Sequence, residues 1–265
     1  MTANVQKVDD KKPVRFSVAI KDEKYQQLIN ETLGDKELAR QFVADISSVV
    51  GNNYKLQSCD ARTILTAGLV ACSMKLPLAP TLGFAYVVPY DGKAQFQIGW
   101  KGLVQLAQRS GQFKRLGVRD VHDGEWVGQD EFGEDLFKFD HKFDDKPIIG
   151  YYAYFELTNG FKKSVYWTKE QCEKHGSKYS KAHSGKNRGG EFDNWTSMFD
   201  IMAEKTVMKQ LLSKYAPLST ELQKAIVYDQ AIVGMDGTPN YVDNEPEIKP
   251  SGQINNVADA VATDK

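Results

Sequence analysis

Between Lys93 and Arg119 the chain carries six basic residues, Lys93, Lys101, Arg109, Lys114, Arg115 and Arg119, and no Asp or Glu. The whole chain is close to neutral, with 34 Lys and Arg against 35 Asp and Glu, so this is local segregation and not a generally basic protein. Clustered cations without counter-carboxylates hold polyanions, and such segregation is the electrostatic footprint of a nucleic-acid site. Within it, Gly99-Trp100-Lys101-Gly102 predicts the start of a short helix ended at Gly111. Free backbone N–H groups and the positive dipole end there suit a phosphate beside Lys101. A second group, Lys205, Thr206 and Lys209, falls on a long helix predicted after Asp193. At ~100° per residue the two lysines lie about 40° apart, in an arc shared with Met198, Ile201, Met202, Met208 and Leu212. Asp200, Val207, Gln210 and Lys214 lie opposite. Lysines inside an apolar stripe snorkel, pair with carboxylates, or line a groove where an anion compensates them. Thr206 beside them is placed to hydrogen-bond the same phosphate backbone.

The elements that must position these groups are legible in part. Asp91-Gly92 between two alternating runs predicts a two-residue type I′ hairpin, because both turn positions need φ > 0. If Tyr90 pairs with Lys93, then Ala85, Val87, Pro89, Ala94, Phe96 and Ile98 share a core face. Tyr86, Val88, Tyr90, Lys93, Gln95 and Gln97 share the other, which is either an ordinary water-facing surface or a binding surface. Phe113 to Val121 reads as a strand joining the same sheet. Upstream, helices are expected from Asp22, from Asp35 to Gly51, and from Asp60 to Leu76-Pro77, the last apolar around much of its circumference and buried. Downstream, Asn159-Gly160 predicts a second hairpin, and Thr168 with Gln171 a capping box.

Other features bound the chemistry. Residues 120 to 145 hold ten acidic residues against Lys138 and Lys142. Asp130, Glu131, Glu134 and Asp135 lack the glycine-punctuated spacing of a calcium loop and read as a solvated acidic segment. Residues 174 to 190 are glycine-rich and basic with no acidic residue, either a linker or a loop that settles on a polyanion; His175 and His183 in it read as incidental and not as metal ligands. Cys59, Cys72 and Cys172 are three in number and widely spaced, against a disulfide framework or zinc site, with Cys72 expected in the core. The phosphate loop, the dinucleotide fingerprint and the nucleophile elbow are absent, as are helix-turn-helix and zinc-finger patterns. Catalytic and metal-ligating residues are therefore expected to be none, and the work passive binding. Residues 1–20 and the acidic stretch 236–265 read as disordered, flanking one domain over 21–235. With no export signal or apolar span in the sequence, the expectation is a cytoplasmic protein with no membrane partner.

Three blocks carry a resemblance. L-Q-S-C-D-A-R-T-I-L-T-A-G-L-V-A-C-S-M-K-L-P-L over 56–78, the segment L-G-F-A-Y-V-V-P-Y followed by K-A-Q-F-Q-I-G-W-K-G-L-V-Q-L-A-Q-R-S-G-Q-F, and W-T-S-M-F-D-I-M-A-E-K-T-V-M-K-Q-L-L closely resemble the RecT family of phage and prophage recombinases. The resemblance spans roughly residues 25 to 230. It implies single-strand DNA annealing in homologous recombination without ATP, with magnesium at most assisting, by a homo-oligomeric ring or filament beside a phage exonuclease. It also implies an α+β fold, a small antiparallel sheet with hairpins packed on a long helix, plus an N-terminal helical lobe used in subunit contacts. Joined to the residue reading, it makes Lys93, Lys101, Arg109, Lys114, Arg115, Lys205 and Lys209, with Gln95, Gln97 and Thr206, DNA-binding candidates. They would hold the strand backbone in a groove between the hairpin-helix unit and the long helix. Tyr86, Trp100 and Trp195 are candidates for base stacking, with core packing the favoured role for Trp195. The competing readings are a metal-dependent nuclease using the acidic 120–145 region and a structural filament protein.

Overall fold

A computed structural model describes residues 14–180, 182–185, 188–190 and 193–241. In chain order its elements are α1 (Phe16–Ala19), α2 (Glu23–Leu33), α3 (Lys36–Gly51), α4 (Ala61–Ser73), β1 (Ala85–Tyr90), β2 (Lys93–Ile98), α5 (Trp100–Arg109), β3 (Phe113–His122), β4 (Trp126–Gln129) and β5 (Asp135–Phe137), followed by β6 (Ile148–Leu157), β7 (Lys162–Thr168), α6 (Lys169–Tyr179), α7 (Asn194–Ser197), α8 (Phe199–Tyr215), α9 (Thr220–Tyr228), β8 (Ile232–Val233) and β9 (Pro239–Asn240). The fold is α+β with small antiparallel sheets. Two compact units result: the described residues up to Ile98 with Tyr228–Asn240, and those from Gly99 to Val227 with Tyr241. The stretches expected to be disordered enter them in part. Phe16 of α1 is buried and β9 pairs with β8, while residues 1–13 and 242–265 lie outside the described residues.

In the first unit, Asp22, Asp35 and Asp60 each accept a hydrogen bond from a first-turn backbone N–H of α2, α3 and α4, satisfying donors that a helix start otherwise orphans. Helix α4 is buried on nearly all sides through Thr63–Gly68, Val70 and Ala71, because β2 packs on it. Its Thr63 hydroxyl accepts the Ala94 N–H at 2.8 Å. The β1–β2 hairpin has the expected register, Tyr90 opposite Lys93 and Ala85 opposite Ile98. Its turn has φ of 44° at Asp91 and 72° at Gly92, both left-handed as a type I′ turn requires. The sequence offered no hint that residues 229–240 return here. The Asp229 carboxylate accepts the Ile98 N–H at 3.1 Å, Ala231 bridges Phe96, and the Thr66 hydroxyl donates to the Val233 carbonyl at 2.7 Å.

The second unit is built on the sheet β3-β6-β7. Strand β6 alternates as a half-buried strand should: Tyr151, Ala153, Phe155 and Leu157 enter a core with Cys172, Trp195 and Ala203, Val207 and Leu211 of α8. Phe113–Val121 therefore does not extend the first hairpin; it pairs with β6. The helix expected after Asp193 is broken at Met198, whose φ of −140° separates α7 from α8. Its stripe is also not the one periodicity suggested. Val207 and Gln210 are buried, whereas Met198 and Ile201 are exposed, because α8 packs on the sheet and on α5 together. The β6–β7 turn at Asn159-Gly160 and the Thr168–Gln171 capping box, with both reciprocal bonds, form as expected. All three cysteines are free, and Cys72, expected in the core, is only half-buried.

Candidate nucleic-acid interface

Helix α5 buries Gly102, Leu103, Leu106 and Ala107 against α8 and β3. Its other side exposes Lys101, Gln108 and Arg109. Gly99 at the N-cap supplies no side-chain cap, so the positive dipole end of α5, beside Lys101, is not neutralised by a capping side chain of its own N-cap residue. Trp100 is half-buried. On β3, Lys114 and Arg115 are exposed and share one carboxylate, Glu156, at 2.8 Å and 3.7 Å. The hydrogen bond from Lys114, aided by the charges of Lys114, Lys162 and Arg115, holds the Glu156 carboxyl below its ordinary range. Two exposed cations against one carboxylate leave net positive charge on this strand.

The α8 candidates are less open. Lys205 is half-buried and Lys209 only 5% exposed. Thr206 is buried, and its hydroxyl donates to the Met202 carbonyl at 2.8 Å, within the helix. Tyr86, Lys93, Gln95 and Gln97 belong to the first unit, whereas Trp100, Lys101, Arg109, Lys114, Arg115, Lys205, Thr206 and Lys209 belong to the second. On the hairpin's polar face Lys93 is exposed, Tyr86 and Gln97 are half-buried, and Gln95, at 1% exposure, is interior and offers no binding surface. Trp195 is buried in the core, as expected.

Three features escaped the sequence reading. Gln105, at helical spacing between Lys101 and Arg109, buries its Oε1 without a hydrogen-bond partner among the described residues; the i, i+4, i+8 series was available as a signal. Arg115 also lines an open cleft of about 870 Å³ in which the rings of Tyr152, Tyr154, Phe161 and Tyr215 sit among the carboxylates of Asp130, Glu134, Asp135 and Glu156 as well as Lys162. It needs the β3-β6-β7 pairing to exist. Finally, His183 is not incidental. It is buried, with Nδ1 3.0 Å from Asp193 Oδ1 and Nε2 3.1 Å from Glu173 Oε1, carboxylates ten residues away on either side.

The acidic segment has structural employment. Asp130 accepts the N–H groups of Phe132 and Glu134 at 2.9 Å and 2.8 Å. Asp135 accepts from Trp126 Nε1 and Gln129 Nε2, and Glu134 pairs with Lys163. Among the described residues, no three His, Cys, Asp or Glu side chains are grouped so as to hold a metal ion. Nor is any described helix long and apolar enough to cross a membrane.

The RecT family model matches residues 40–248. The uncharacterized protein YqaK of Bacillus subtilis (strain 168) is 40% identical over 225 residues, covering 83% of this chain and 75% of its own length. Protein RecT of Escherichia coli (strain K12) is 32% identical over 187 residues, covering 66% of this chain and 65% of that protein. The match thus spans just under two thirds of the E. coli protein.

Proposed function

The chain belongs to the RecT family, and from that premise we propose that it binds single-stranded DNA and anneals complementary strands in homologous recombination, without ATP. The observation that carries this reading is the family match over residues 40–248. The exposed cations of α5 and β3 supply a physical means. Lys101 and Arg109, with Lys114 and Arg115, neutralise strand phosphates, Lys205 adds charge from α8, and the α5 start contributes backbone donors. Duplex formation itself releases about 1.4 kcal/mol per base-pair step. Annealing therefore needs neutralised, aligned strands and no nucleotide hydrolysis; magnesium assists at most by screening. A homo-oligomeric ring or filament, acting beside an exonuclease that exposes single strands, would hold one strand extended while a complement is tested. The test mixes labelled complementary oligonucleotides with purified protein and no nucleotide. Faster duplex formation with intact strands is the expected result, and strand cleavage would transfer the assignment to a nuclease.

A further inference from the structure

The surroundings of His183 call for a ring that gives two hydrogen bonds at once. Nδ1 faces both oxygens of Asp193, at 3.0 Å and 3.1 Å, and Nε2 faces Glu173 of α6 at 3.1 Å. Both acceptors are carboxylates. A neutral imidazole carries one N–H and satisfies one side only, leaving a lone pair against an anion on the other; a doubly protonated ring donates to both. The ring is 2% exposed, so water cannot readily replace the lost bond. Among the described residues, the polar groups around the ring tie into the same two carboxylates, with the Thr196 hydroxyl oxygen 3.4 Å from Nδ1 and the Ser180 hydroxyl accepting the His183 backbone N–H at 3.3 Å. Arg188 pairs with Glu173, the Thr196 hydroxyl of α7 donates to Asp193 Oδ2 at 2.6 Å, and the Gly189 N–H donates to the same oxygen at 2.8 Å. The Trp195 ring packs near both His183 and His175, its centroid 6.2 Å and 6.0 Å from theirs.

Asp193 is the N-cap of α7, and α8, with Lys205 and Lys209, starts one residue after α7 ends. We propose that His183 is a positioning residue: doubly protonated, it locks α6 to the start of α7 and α8, and losing one proton releases the Glu173 side, loosens residues 183–185 and 193–197 and weakens strand binding. The effect on DNA rests on the function proposed above; the effect on local order does not.

The experiment uses the full chain at about pH 6 and about pH 8.5, at fixed ionic strength. Nitrogen-15 spectra of the His183 ring should show both nitrogens protonated at the lower pH. Hydrogen exchange of amides 183–185 and 193–197, corrected for intrinsic rates, should quicken about tenfold or more at the higher pH, the size expected for one lost hydrogen bond to a charged group. Affinity for a labelled single-stranded oligonucleotide should fall in parallel. In His183→Gln, which can reach Glu173 but donates through one group only, the pH dependence of both readouts should vanish. A bare ring nitrogen at the lower pH overturns the proposal even if the variant fails to fold, as does wild-type protection that does not change with pH. If the clamp behaves as described but no strand is bound at either pH, the clamp stands and the proposed function falls. If strands are annealed with no dependence on His183 or pH, the function stands and the clamp falls.

Discussion

Asp193 is enclosed, and its neighbours decide its charge. Burial raises its proton affinity, but the Gly189 N–H, the Thr196 hydroxyl and His183 together outweigh that and hold the carboxyl at about 2. Since the native pKa lies below the unfolded one, the contribution is fully present above the unfolded value of about 4 and is lost as pH falls toward 2. Denaturant melts from about pH 5 down to about pH 2 should therefore show Asp193→Asn losing less stability on acidification than the wild type, having started lower. On the opposite side of function, Lys101 and Arg109 are exposed on α5. Removing both by Lys101→Ala/Arg109→Ala should weaken single-strand binding without sequence preference and flatten the slope of log affinity against log salt by about 0.7 per lost phosphate contact. Anisotropy titrations over a salt series read this directly, and an unchanged slope would remove α5 from the interface. Those two cations were legible from sequence because charge segregation is a one-dimensional property. Gln95 and Thr206 were not assignable from sequence, because whether a polar side chain faces solvent is settled by what packs over it.

At the level of elements, close approach sets the tolerances. A Cβ on Gly176 of α6 would stand 2.6 Å from the Trp195 ring, closer than packed carbon atoms tolerate, and Trp195 is wedged into the core of the second unit. Gly176→Ala should cost about 1–3 kcal/mol, seen as a lower denaturation midpoint with an unchanged slope. Breaking the reciprocal cap by Thr168→Ala should cost about 1 kcal/mol, with exchange rising first in the opening turn of α6. The capping box and the Asp91-Gly92 hairpin were legible because their determinants lie within four residues of one another. Strand β3 was assigned to the wrong sheet for the converse reason: its partner β6 begins at Ile148, and no local pattern specifies a pairing that distant. The orientation of α8 failed on a physical assumption, that a helix has one wet side. Packed by β6 and β7 on one flank and α5 on another, it buries Thr206 through Leu212 without interruption, and a stripe analysis has nothing to detect.

For the molecule as a whole, near-zero net charge conceals a division of labour along the chain. The run from Lys93 to Arg119 is wholly basic in its charges, and the following segment to Asp145 is predominantly acidic. Within that acidic segment, Asp130 and Asp135 accept hydrogen bonds that shape the β4–β5 hairpin, and Glu134 pairs with Lys163 of β7. The family was legible in the sequence through three residue blocks, and the match over residues 40–248 bears it out. The return of residues 229–240 to the first unit was not, because it depends on buried hydrogen bonds such as that of Asp229 to Ile98, made across more than a hundred residues. The most direct test of the account follows duplex formation from two labelled complementary strands, without nucleotide, for the wild type and for Lys101→Ala/Arg109→Ala/Lys205→Ala. The wild type should accelerate annealing well above the spontaneous rate, lose that acceleration steeply as salt rises, and leave both strands intact, with the variant close to the spontaneous rate. Wild-type protein that fails to accelerate annealing, or a variant that anneals as fast as the wild type, would contradict the account.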